Sequence, residues 1–277
     1  MIEVEQLVKK FGVSPYSLKL QLLLANFEAF YQNQPKNAME QLQKTLELPL
    51  NIREAAKVKM QLADIMVYDE KFNQAILYYA QVEDNLKNDE LAHEASMKMA
   101  KANYYKADFE WTLQQVKNLK QSSSLLIAND AIELFMLIQD NSVEDSTKTA
   151  LTAFAKADLK LYQKKKEEAL QAFLTILEKH KGESIQDIAL LRIAQIYEQK
   201  KQFDLALNYY NKILTDHADG IFVDEALYFS AEIYRKELNQ PEKAKPLYER
   251  MVLNHPDSIY FTNSRINYRI LRGDVNL

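Results

Sequence analysis

The chain has no cysteine among its 277 residues, which excludes disulfides, thiolate metal sites and cysteine nucleophiles together. Its four glycines and six prolines are too few to supply the turns of a sheet protein, so helix is the expected secondary structure throughout. Neither sign of charge dominates. With 35 basic against 39 acidic residues there is neither the broad basic field of a nucleic-acid binder nor an acidic tail. Long apolar runs are also missing: the stretch Leu20 to Phe27 is interrupted by Gln21 and Asn26, and a bilayer span needs about 20 apolar residues. The opening residues, with Glu3 and Glu5 ahead of Lys9 and Lys10, do not follow the basic-then-apolar order of a secretory signal. The expected location is cytoplasmic as written, or periplasmic and envelope-associated if the sequence is a fragment of a longer chain.

What the chain does have is a beat. Ala38, Ala75, Thr112, Ala169, Ala206 and Ala244 follow one another at steps of 37, 37, 57, 37 and 38 residues. Around these small anchors the apolar residues fall at helical spacing, as in Leu62, Ala63, Met66, Phe72, Ala75, Tyr79 and Val82. The same order returns in Ile193, Ala194, Tyr197, Phe203, Ala206, Tyr210 and Ile213. Small residues belong where two helices cross closely, and large ones fill the gaps beside them. A period in this range is the sign of a helical solenoid, whose helix pairs bury their apolar faces only by stacking on neighbours.

These spacings resemble the tetratricopeptide repeat, in which a small residue is followed twelve positions later by another and then by an aromatic four beyond it. Ala63, Ala75 and Tyr79 fit, as do Ala157, Ala169 and Phe173, and Ala194, Ala206 and Tyr210. The last unit, with Ala231, Tyr234, Ala244, Tyr248 and Pro256, reads as carrying one extra residue in its turn. The resemblance extends over nearly the whole chain, but the step is 37 residues instead of 34 and the family's glycine at the first small position is missing. Longer units of this kind are similar to those of bacterial cell-envelope repeat proteins. The resemblance implies an all-α fold, a right-handed α-solenoid of antiparallel helix hairpins.

Periodicity and capping predict helices at 16–33, 36–48, 52–69, 72–86, 90–106, 109–120, 124–139, 145–163, 166–180, 184–200, 203–216, 221–238, 241–254 and 258–271. Ser14 with Pro15 marks one helix start, Asn51 with Glu54 reads as a capping box, and Ser184 and Ser258 open later helices. Between Thr112 and Ala169 there is room for one extra helix, Leu125 to Gln139, so the alternation slips. The slip has two readings, a bend or a degenerate repeat. With the polar connector from Asp140 taken as a boundary, residues 1–140 form one sub-array and 141–277 a second, closed by a capping helix at 258–271.

The start of the chain reads as a second helix whose first partner is missing, because Leu7, Val8, Phe11, Gly12, Ser14 and Tyr16 repeat the order of Val252, Leu253, Pro256, Ser258 and Tyr260. The helix that follows is apolar nearly all round, and Leu20, Leu24 and Phe27 are candidates for self-association. A homo-oligomer is therefore one expected assembly.

Catalytic and metal patterns do not emerge. His180, His217 and His255 sit one repeat apart, each at the end of a second helix, where dipole and free carbonyls explain a histidine and where sharing one ion is out of reach. Glu167 and Glu168 stand at a helix start, which suits the dipole. The expectation is a non-enzyme without cofactor. On the capping helix Arg265, Arg269 and Arg272 form the one local basic feature, which reads as a solvated cap, so nucleic acid is not expected.

In the family, first-helix side chains facing away from the second helix line a concave groove for extended or helical peptides. Carried over by position, that groove comprises Met60, Asp64 and Tyr68, then Met97, Lys101 and Tyr104, then Leu191, Gln195 and Glu198, and finally Tyr228, Glu232 and Arg235. Tyrosine and methionine suit such a surface through large area and adaptable packing. The family's lysine and asparagine clamp for a C-terminal carboxylate is not matched, since Met60 with Asp64 and Met97 with Lys101 stand in its place. The reading is a scaffold for a protein or peptide partner, or for a second copy of itself. Its rivals are an accessory domain of a larger enzyme and a nucleic-acid-associated repeat regulator.

Overall fold

A computed structural model of the chain describes residues 7, 10, 12–87, 89–122, 124–142 and 147–274. These residues contain fourteen α-helices and no strand. The helices are α1 (Leu18–Phe30), α2 (Pro35–Leu46), α3 (Ile52–Tyr68), α4 (Phe72–Asn85), α5 (Glu90–Tyr105), α6 (Phe109–Leu119) and α7 (Leu125–Asp140). They continue with α8 (Thr149–Tyr162), α9 (Lys166–Lys179), α10 (Ile185–Gln199), α11 (Phe203–Asp216), α12 (Val223–Glu232), α13 (Pro241–Asn254) and α14 (Phe261–Arg272). Each expected helix is present, and the fold is an all-α solenoid of antiparallel hairpins.

The small anchors do what their spacing requires. Ala38, Ala75, Thr112, Ala169, Ala206 and Ala244 are all fully buried, and beside them Tyr79, Tyr210 and Tyr248 are among the largest fully buried side chains. An alanine lets the backbones of a pair approach while the tyrosine one turn on fills the space, an exchange worth about 1.5–3 kcal/mol per large side chain taken out of water.

Hairpin turns repeat the same beat. Asn33, Glu70, Ala107, Lys164, Lys201 and Asn239 all have positive φ, between 50° and 65°, and their steps of 37, 37, 57, 37 and 38 residues match those of the anchors. Each ends a first helix in a left-handed cap. After α3 the Glu70 N–H reaches the Val67 carbonyl at 3.0 Å and the Lys71 N–H the Met66 carbonyl at 2.8 Å, a Schellman pair. Lys201 and Gln202 repeat it after α10, at 2.8 and 2.9 Å. With glycine scarce, residues carrying a Cβ occupy the position that glycine usually fills.

The last hairpin departs from the expectation. Its extra residue lies inside the first helix and not in the turn: Ile233–Glu237 is a π-helical turn, closed by the Leu238 N–H to the Ile233 carbonyl at 3.0 Å. One inserted residue widens a helical turn without breaking its hydrogen bonding, so the left-handed cap falls on Asn239 and the beat lengthens by one.

Helix starts follow local chemistry. Asn51 accepts from the Glu54 N–H at 2.9 Å and Glu54 returns a bond to the Asn51 N–H at 3.0 Å, the capping box read from the sequence. Pro15 opens a short 3-10 turn, Pro15–Ser17, ahead of α1. The capping helix begins at Phe261, later than its Ser258, which instead accepts from the Tyr260 N–H at 3.2 Å. Of the residues read as an orphan second helix, Met1–Gln6, Val8, Lys9 and Phe11 lie outside the described set.

The chain divides into two compact units, Met1–Lys165 and Lys166–Leu277. In the first, α1 pairs with α2, α3 with α4 and α5 with α6. The extra helix α7 packs on α6 and α5, and α8 also packs on α5. The boundary after residue 140 read from the sequence would have placed α8 with the second array, whereas its contacts hold it in the first unit. In the second unit α10 pairs with α11, α12 with α13, and α14 lies on α13.

Candidate protein-binding surface

The carboxylates expected to line the groove face into their own hairpins. Asp64 accepts from the Tyr79 phenol at 2.6 Å and from the Lys98 ammonium at 2.7 Å. Burial pushes its carboxyl above the ordinary range, and Lys98 and the Tyr79 bond only partly offset this. Glu198 accepts from the Tyr210 phenol at 2.8 Å. Glu232 accepts from Tyr248, Lys236, Arg235 and Asn267. In each case the phenol comes from the second helix of the same hairpin, four residues after its buried alanine. Each acid therefore satisfies a buried tyrosine, which would otherwise carry an unpaired hydroxyl in the core.

Several other expected groove residues are core. Met60, Met97 and Leu191 are 5%, 4% and 4% exposed, because first helices stacked on both sides bury more than one face. Tyr68 and Tyr104 are also buried. Lys101 pairs with Asp130 on α7 at 3.0 Å, and Arg235 donates to the Tyr248 oxygen at 3.1 Å and to Glu232. Tyr228 stacks on Tyr260 at 4.5 Å between ring centroids. Gln195 accepts from Arg192 at 3.2 Å and borders an open hollow. Of the candidates for self-association, Leu24 is 8% exposed and thus covered within its own chain, while Leu20 and Phe27 are half-buried. The exposed leucine of α1 is Leu23.

Two inner surfaces result. In the first unit, α8 occupies the face formed by α1, α3 and α5. Tyr104 donates to Asp158 at 3.0 Å, the Tyr162 phenol to the Asp64 backbone carbonyl at 2.9 Å, and the Gln163 amide to the Tyr68 carbonyl and to Glu70, both at 3.0 Å. The Tyr162 ring meets Phe30 edge-on at 6.1 Å and Tyr105 at 5.8 Å, and the Lys164 ammonium lies 3.5 Å from the centre of the Tyr31 ring. Asp158, Tyr162 and Gln163 were not singled out from the sequence. A signal existed: Tyr68, Tyr105 and Tyr162 each stand five residues after a small anchor, Ala63, Ala100 and Ala157.

In the second unit the corresponding face carries a hollow. Gln195, Glu198, Gln199, Lys201, Phe203, Phe229 and Glu237 border a hollow between α10 and the end of α12. Burial raises the Glu198 carboxyl above the ordinary range, the Tyr210 bond opposes this, and the nearby Glu237 adds to the rise. The hollow therefore sets two carboxylates against the single lysine Lys201 beside an aromatic wall.

Histidines at the helix ends form clasps. His217 Nδ1 lies 2.5 Å from Asp187 and His255 Nδ1 lies 2.7 Å from Asp224, each aspartate standing in the first turn of the partner helix. His180 pairs instead with Glu183 at 2.9 Å. On the capping helix Arg269 and Arg272 turn back to Asp274 at 3.3 and 2.5 Å. Among the described residues no group of three or more His, Asp or Glu side chains is placed to hold a metal ion, and no helix is long and apolar enough to cross a membrane.

Residues 188–220 and 225–258 match the family model of the tetratricopeptide repeat. These stretches cover the α10–α11 and α12–α13 hairpins of the second unit. Such repeats are generally protein–protein interaction modules. Among solved structures, the tetratricopeptide domain of P58(IPK) is 17% identical, with a TM-score of 0.36, over 99% of this chain and 69% of that one. A signal transduction ATPase with numerous domains and a tetratricopeptide repeat sensor, from Pyrococcus horikoshii, is also 17% identical, with a TM-score of 0.40, over 92% of this chain and 38% of that one. No curated protein matches the chain.

Proposed function

We propose that the chain is a non-enzymatic scaffold that holds a protein partner on the inner face of its second unit. The supporting observation is the hollow bordered by Gln195, Glu198, Lys201, Phe229 and Glu237, which combines an aromatic wall with two carboxylates against one ammonium, the carboxylates close enough for Glu237 to raise Glu198. A peptide offering a lysine or arginine beside an apolar side chain relieves that repulsion and covers the ring. The 37-residue unit supports a further proposal, that the scaffold serves a bacterial envelope assembly.

The test is quantitative co-purification from lysate of the source cells with tagged full-length chain, followed by the Glu237→Lys and Phe229→Ala variants. A stoichiometric partner lost from both variants is the expected result. A partner retained equally by both variants places the binding elsewhere and overturns the assignment.

A further inference from the structure

Two helices present apolar stripes to solvent on the side away from the helices they pack on. In α7, Ile127, Ala128, Ala131, Leu134 and Ile138 are buried, and the helix packs on α6 and α5. Its opposite side carries Leu125, Ile132 and Met136, each at least 40% exposed. In α14, Ser264 is buried while Tyr268 and Leu271 pack on the core of the last hairpin. Its other side carries Ile266 and Ile270, with Ile259 in the turn ahead, and all three are exposed as well. Ile132 and Met136 stand one helical turn apart, as do Ile266 and Ile270, and a further apolar residue, Leu125 or Ile259, stands seven before each pair.

The two stripes carry opposite charge. In α7 there are Asp130, Glu133 and Asp140 and neither lysine nor arginine, whereas α14 has Arg265, Arg269 and Arg272 and no acid. Lys101 meets Asp130 from α5, Lys120 lies over the Phe135 ring, and Asp274 takes Arg269 and Arg272. The charges next to the apolar pairs are Glu133, after Ile132, and Arg265, before Ile266, and both side chains are exposed. Pairing α7 with another α7 sets acid against acid, and α14 with another α14 sets arginine against arginine, so each stripe complements the other better than it complements itself.

We propose that α7 of one copy docks on α14 of a second copy, apolar stripe to apolar stripe with acid beside arginine, so that the chain assembles with itself head to tail. The contact joins two different surfaces and leaves each end of the pair able to take a further copy, so the product grows past a dimer into a ring or an open chain. One helix face on each side buries less than the about 1,200–2,000 Å² of a standard interface, which makes the assembly weak and dependent on concentration. Neither the leucines of α1 nor the hollow of the second unit takes part.

Light scattering of the full-length chain over a hundredfold range of concentration tests this, with circular dichroism to verify that each variant keeps its helix content. The mass is expected to rise above that of one chain as concentration rises, and added salt should lower it. Glu133→Arg and Arg265→Glu should each weaken association at least tenfold, as should Ile132→Ser and Ile266→Ser, while Leu23→Glu on α1 should leave it unchanged. An equimolar mixture of the Glu133→Arg and Arg265→Glu chains should regain the association that each has lost alone, because the reversed α7 of one fits the reversed α14 of the other. A single-chain mass at every concentration, association indifferent to both charge reversals, a mixture that fails to reassociate, or loss on Leu23→Glu overturns the proposal. Partner capture at the hollow is tested separately by the Glu237 and Phe229 variants.

Discussion

The Tyr162 phenol donates to the backbone carbonyl of Asp64 at 2.9 Å although 98 residues separate them in sequence. That bond, with the two made by Gln163, ties α8 to the end of α3 within the first unit. The Tyr162 side chain is half-buried, and its phenol is held above the usual range, chiefly by desolvation and then by the charges of Asp64 and Tyr105.

Removing only the hydroxyl isolates this bond. Tyr162→Phe keeps the ring against Phe30 and Tyr105 and should cost about 0.5–1.5 kcal/mol, the net worth of one hydrogen bond. Tyr162→Ala also removes the ring of this half-buried residue and should cost more, about 2–3 kcal/mol. Urea denaturation followed by far-ultraviolet circular dichroism measures both; equal losses for the two variants would show that the hydroxyl carries the whole effect and that the ring contributes nothing.

The left-handed turn residues offer a stabilisation. Ala107, Lys164 and Lys201 hold φ of 65°, 60° and 57° with a Cβ present, a conformation that disfavours side-chain-bearing residues by about 1–2 kcal/mol. Glycine removes that strain and gives back part of the gain as unfolded-chain entropy. Each change to glycine should therefore raise stability by about 0.5–1 kcal/mol. Thermal melts of Ala107→Gly, Lys164→Gly and Lys201→Gly, singly and combined, test this, and a lowered Tm in all three contradicts it.

These turns also show what was legible in advance. The beat of small residues announced the helices and their pairing because burial at a crossing admits few alternatives, so alanine spacing maps directly onto geometry. Side-chain direction was not legible in the same way. Asp64 and Glu232 look like surface acids in sequence, yet each lies one residue after its anchor, where the helix turns it toward the partner's tyrosine. The fold-back of α8 was hidden as well, since the contacts of Asp158 and Gln163 are long in sequence and rest partly on backbone carbonyls, which carry no residue identity. The π-turn escaped because an inserted residue has the same effect on spacing in a helix as in a loop.

Glu232 makes the second unit sensitive to acid. Burial alone would raise its carboxyl, but the bonds from Lys236, Tyr248 and Arg235 outweigh burial and hold it below the ordinary carboxylate value. A depressed folded pKa contributes stability above the unfolded value, and that contribution disappears as pH falls through the folded one. Glu232→Gln should therefore lose stability at neutral pH and show a flatter acid limb below about pH 4.5. Urea midpoints collected from pH 7 to pH 3 decide the matter, and parallel curves for the two proteins count against the assignment.

The histidine clasps give the last expectation. His217 and Asp187 join the end of α11 to the start of α10, and His255 and Asp224 join α13 to α12 in the same way, so each pair closes the open end of a hairpin opposite its turn. At each site the histidine and aspartate are about a quarter exposed, so solvent screening limits a clasp to about 0.5–1 kcal/mol of coupling. A double-mutant cycle with His217→Ala and Asp187→Ala should return that coupling at pH 6, and it should shrink on adding salt because the charged part of the interaction is screened. The His180 site supplies the control. The sequence position one repeat before Asp187 is Ala150, and His180 turns to the adjacent Glu183 instead. Substituting Glu183 should leave the hairpin ends unaffected while altering only the loop, and a coupling at His217 no larger than at His180 would mean that the clasps close nothing.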